Sequence, residues 1–148
     1  MAARVLEENI HRAGWDQPNV LAVIQHIRAD GMDGFSVLRP VLPPALGELH
    51  PADMCGLMTD ELTRVDPSVI GFMLVVEVWL TPGAMGAGSP APVEARRLFA
   101  TTLAGRDFEL ARLRGQEPVT VPVCPAHRDE ALVSLRQLAA KAKELIES

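Results

Sequence analysis

Residues 70–80 carry the clearest strand pattern in the chain. One parity reads Ile70, Phe72, Leu74, Val76, Val78 and Leu80, and the other reads Gly71, Met73, Val75, Glu77 and Trp79. Successive strand side chains point to opposite faces, so a strand apolar on nearly both parities is central, or is covered on its second side by a partner. The strongest helix follows from residues 126–146, where Leu132, Leu135, Leu138, Ala139, Ala142, Leu145 and Ile146 recur on one stripe. Asp129 and Glu130 at its start and Lys141 and Lys143 near its end complement the helix dipole.

Weaker patterns fill in the rest. Residues 2–13 place Val5, Leu6, Ile10 and Ala13 on one helical face. Gly14 then suits the left-handed position after the helix, with Ile10 and Trp15 in contact across a Schellman ending. A middle helix over 51–65 starts with Pro51 and Asp53 and buries Met54, Met58, Leu62 and Val65. Gly56 inside it costs about 1 kcal/mol against alanine, which implies close packing there. Residues 20–27 fit a helix or a short buried strand, and the strand is the reading taken. Residues 35–38 add a short edge strand, while 96–103 and 108–113 join through a hairpin turn at 104–107. Residues 118–123 form a further strand, held to an edge by its prolines.

Consecutive strands flanked by helices define an α+β fold. The expected architecture is an antiparallel sheet of four to five strands, with N-terminal, middle and long C-terminal helices packed on one face. A chain of 148 residues suits a single domain, 1–148, with one core. The other face, carrying Met73, Val75 and Trp79, is then too apolar to stay wet, which predicts a homodimer.

Composition narrows the function classes. Hydrophobic residues make up 48% and charged residues 22%, the balance of a chain that folds. A net charge of −5 lacks the basic stripe that a nucleic-acid partner requires. The longest purely apolar run is 69–76, far short of the roughly 20 residues of a membrane-spanning helix. Residues 1–12 have no apolar signal-peptide core, and two cysteines are too few for a disulfide framework, so the expectation is a reduced, cytoplasmic protein.

Two short spacings carry chemistry. His50 precedes Cys55 by five residues and Cys124 precedes His127 by three, together the ligand set of a structural zinc site. Cys124 also lies just before a helix N-terminus, which lowers a thiol pKa. Against this, Cys55 falls with Met58 and Leu62 on one helical stripe, where a free cysteine is a buried small hydrophobe. Glu77 interrupts an apolar strand; it is either a general acid with a raised pKa or, as favoured here, the ion-pair partner of Arg97 or Arg112. The Trp15-Asp16-Gln17-Pro18 turn is a recognition surface or simply the end of the first helix.

Four features in order, Gly14-Trp15-Asp16-Gln17-Pro18, Val75-Val76-Glu77-Val78-Trp79, Arg96-Arg97 and Gly105-Arg106-Asp107, resemble a group of small uncharacterised actinobacterial proteins over residues 4–114. The chain departs from them after Pro18, where Asn19-Val20-Leu21 replaces a second proline and aromatics. That group has no established activity, so the resemblance implies a fold and transfers no catalytic residue. The function expected is a non-catalytic, homodimeric binding or adaptor module of chaperone-like type. It would meet a protein partner through Trp15, Asp16, Gln17, Met73, Glu77 and Trp79, with no cofactor. The alternative is a small zinc-supported or thiol-dependent enzyme using His50, Cys55, Cys124 and His127.

Overall fold

A computed structural model describes residues 2–28, 35–42, 44–80, 92–121 and 129–148. Its elements run α1 (Ala2–Arg12), β1 (Val20–Ile27), β2 (Phe35–Pro40), a 3₁₀ turn (Pro44–Glu48) and α2 (Pro51–Glu61). They continue with β3 (Val69–Leu80), β4 (Val93–Thr102), β5 (Asp107–Leu113), β6 (Val119–Val121) and α3 (Glu130–Glu147). The strands form one antiparallel sheet in the order β2-β1-β3-β4-β5-β6, so the fold is α+β with six strands rather than four to five. Among the described residues, no helix is long and apolar enough to cross a membrane.

The position of β3 follows from its residues. Hydrogen-bonded to β1 on one side and β4 on the other, it buries residues from Gly71 through Val76 on both parities. Gly71 is required there, because a β-carbon would collide with the backbone of Thr101 on β4. β1 is the strand that its β-branched run predicts, with Leu21 and Val23 facing one core and Ile24 the other.

The first face carries the larger core. Leu21, Phe72, Leu74, Val76 and Phe99 meet Met54 and Cys55 of α2 and Leu132, Leu135 and Leu138 of α3. α2 begins at Pro51 as expected but ends at Glu61, since Leu62 takes an extended conformation. Gly56 does not sit in a tight contact: its surroundings are open and a β-carbon there would touch nothing within 4 Å. α3 starts one residue after Asp129, whose carboxylate accepts from Ala131 N at 3.0 Å as an N-cap.

The second face holds Ile24, Met73, Val75, Leu98, Ala100 and Leu110, and Leu6 and Ile10 of α1 pack against it. The helices therefore divide two to one across the sheet instead of sharing a face. An apolar stripe says that a helix packs, not which face of a sheet receives it. Met73 and Val75, whose apolar character called for a second protomer, are covered within the chain and only 3% exposed. The stripe of α1 is also turned from its expected setting. Val5 points outward at 53% exposure, and Glu7 points inward at 1%.

Candidate functional site

Strand register builds the second face in rows. Val75 stands opposite Leu98, and Leu98 opposite Leu110. Two residues further along β3, Glu77 stands opposite Arg96, and Arg96 opposite Arg112. Two further, Trp79 stands opposite Glu94. An apolar row is thus followed by an ionic row and then by a rim.

The ionic row places two arginines directly opposite each other, which is unfavourable on its own. Glu7 of α1 resolves the conflict. Its carboxylate receives Arg112 Nε at 2.6 Å and Nη2 at 2.7 Å, and lies 3.5 Å from Arg96 Nη1. Glu8 takes a further bond from Arg112 at 3.0 Å. The hydrogen bonds that Arg112 donates to Glu7, aided by the negative charges of Glu7, Glu8 and Glu117, hold its guanidinium more firmly protonated than usual.

Arg96 ties the same row to the turn after α1. Its Nη2 donates to Gly14 O at 2.7 Å and to Glu77 Oε1 at 3.0 Å, and its guanidinium lies over the Trp15 ring at 4.6 Å. Glu77 Oε2 in turn accepts the backbone amides of Asp16 and Gln17 at 2.8 and 3.3 Å. Gly14 at φ +95° and Asp16 at φ +62° bend the chain so that both amides aim at that carboxylate. The helix end closes through Ala13 N to Ile10 O and Gly14 N to His11 O, and Trp15 contacts the His11 ring edge-on. Gly14 takes the left-handed conformation expected of it, while the ring that Trp15 touches is His11.

The partner of Glu77 is therefore Arg96, not Arg97 or Arg112. Arg97 alternates to the first face, where it bonds Glu109 at 2.6 Å and Asp129 at 3.0 Å and lies over Phe99. Arg112 is one strand too distant and is taken by Glu7. Of the six residues expected to form an interaction surface, Trp15, Asp16, Gln17 and Glu77 converge. Met73 is buried beneath α1, and Trp79 lies at the rim, 69% exposed. Glu7, Glu94, Arg96 and Arg112 complete the constellation; Arg112 was weighed from sequence only as a partner of Glu77 and Arg96 only within the Arg96-Arg97 motif, while Glu7 and Glu94 were not singled out. Arg96 and Arg112 share strand parity with the buried Leu98 and Leu110, and that parity was the available signal.

At the rim, one carboxylate oxygen each from Asp16, Glu77 and Glu94 lies within 4.8 Å of the other two. Glu94 is paired with Arg114, whose guanidinium also approaches Trp15 at 5.7 Å. The Asp16 carboxylate makes no ion pair or hydrogen bond among the described residues. Asp16, Glu77, Val78, Trp79 and Glu94 line a cavity of about 210 Å³.

The cysteine and histidine positions fare differently. Cys55 is fully buried on α2 in the apolar core, and burial pushes its thiol up to about 12. A thiolate, the form that binds metal or attacks carbon, is disfavoured there. His50 caps α2, its Nδ1 accepting from Ala52 N at 3.2 Å, which places the ring proton on Nε2. Cys124 and His127 lie outside the described residues. His50 also borders a cavity of about 380 Å³ with Arg97, Phe99 and Asp129, between the starts of α2 and α3. Arg97 and Asp129 in it already serve to fasten α3 to β4, through Arg97 with Asp129 and Asp129 with the α3 amide.

No family model, no curated protein and no solved structure matches the chain.

Proposed function

We propose that this protein is a non-catalytic binding module that engages a protein partner through the rim around Trp79. The observation that carries this reading is the exposure of Trp79, a large apolar side chain 69% exposed at the end of a central strand that is buried from Gly71 through Val76. Binding hot spots favour tryptophan on a rigid support, since little side-chain freedom is then lost. The support here is the row beneath: Glu77 is held by Arg96 and by two backbone amides, and Arg96 is itself buried. Glu7, Arg96 and Arg112 are spent on one another, and Glu109 is spent on Arg97, which fastens elements together as a scaffold does.

A second copy of the chain remains a candidate partner. It would meet Trp79 and the carboxylates beside it rather than the sheet face, because α1 occupies that face.

Hydroxyl-radical footprinting tests the reading. Trp79 is expected to oxidise readily in the purified protein and to be protected in an extract of the cells that make it. Excess wild-type protein should relieve that protection, and excess Trp79→Ala should not. Equal oxidation in both settings, or equal competition by the two proteins, would refute it.

A further inference from the structure

We infer that the rim receives an arginine side chain from the partner; this rests on the reading of Trp79 as the binding surface and specifies its chemistry. The molecule builds the same constellation internally. Trp15 holds the Arg96 guanidinium at 4.6 Å, with Glu77 3.0 Å from the same group. Phe99 holds that of Arg97 at 4.5 Å, with Glu109 at 2.6 Å. Each is an aromatic face with a carboxylate beside it and a guanidinium on both.

Trp79 has the first two components and, among the described residues, no guanidinium over its ring. Glu94 stands opposite it across the strand pair, and the unpaired Asp16 carboxylate borders the same cavity. The volume of about 210 Å³ suits the end of one long side chain rather than a folded element. Three carboxylates against the guanidiniums of Arg96 and Arg114 leave the rim one negative charge in excess. The chain as a whole carries −5. Charge complementarity therefore selects a cation.

Its geometry selects arginine over a metal ion or lysine. Glu77 Oε1 already accepts from the Arg96 cation and Oε2 from two amides, so little of its charge is left for a metal ion, which would sit beside a guanidinium. A guanidinium needs just Asp16 and the indole face. It is planar, weakly hydrated and stacks on tryptophan, which an ammonium does less well.

The test is a titration of the full chain with the blocked tripeptide acetyl-Gly-Arg-Gly-amide, following the Trp79 indole N–H by NMR, with the citrulline tripeptide as the neutral counterpart. The arginine peptide should shift the Trp79 resonance saturably at millimolar concentration, and the citrulline peptide should not. Asp16→Asn, which keeps the left-handed turn accessible, should weaken the response about two- to fivefold. Absence of a saturable shift, an equal response to citrulline, or an unchanged response in Asp16→Asn overturns the inference. If Trp79 is nonetheless protected in the footprinting experiment, only the arginine assignment falls; if that protection is also absent, the binding surface falls with it.

Discussion

Glu7 shows how much one side chain can settle. It is 1% exposed between two guanidiniums that strand register has set face to face. Removing one partner of a buried ionic cluster strands the others, at a cost of about 3–5 kcal/mol. Glu7→Gln should lower the unfolding free energy by that amount in urea titration; a loss within 1 kcal/mol, on the order of a surface pair, would mean that the cluster is hydrated. Cys55 gives a second residue-level expectation. Because its thiol is raised from about 9 to about 12, the folded chain keeps a proton that the unfolded chain releases. Stability should be unaffected below about pH 9 and decline above it, by up to about 1.4 kcal/mol per pH unit. Cys55→Ala should remove that component of the alkaline loss. In the native protein, peptide mapping should find Cys55 unalkylated near neutral pH.

At the scale of elements, the strands were legible because alternation and β-branched runs report burial on two faces at once. β3 between residues 70 and 80 needed no tertiary information, whereas residues 20–27 fitted a helix as well as a strand, and only the sheet shows Leu21 and Val23 on one core and Ile24 on the other. α1 was only half legible. Leu6 and Ile10 mark a buried stripe, but the face that receives them depends on which side of the sheet lacks cover. The ionic row was hidden for a related reason, since Glu77 could be matched to Arg96 only with the β3–β4 register known. Glycines sharpen the contrast between local and tertiary cause. Gly56 lies in an open helical position, so Gly56→Ala should stabilise by up to about 1 kcal/mol. Gly71→Ala should destabilise by considerably more, because the new methyl group meets the Thr101 backbone. Denaturant unfolding of the two variants would show opposite signs.

Across the whole molecule, one sheet separates two unequal cores. α2 and α3 bury the larger, and α1 closes the smaller with two apolar side chains and one buried carboxylate. The candidate site is a by-product of that closure. The turn that brings α1 onto the sheet is the turn that sets Asp16 beside Trp79, so the recognition proposed for the rim would depend on α1 staying in place. The most direct test uses methyl-labelled protein and nuclear Overhauser contacts between Leu6 or Ile10 and the cluster of Val75, Leu98 and Leu110. Isotope filtering separates contacts within a chain from those between chains. The account predicts strong contacts confined to one chain; their absence, or their appearance only between two chains, would contradict it.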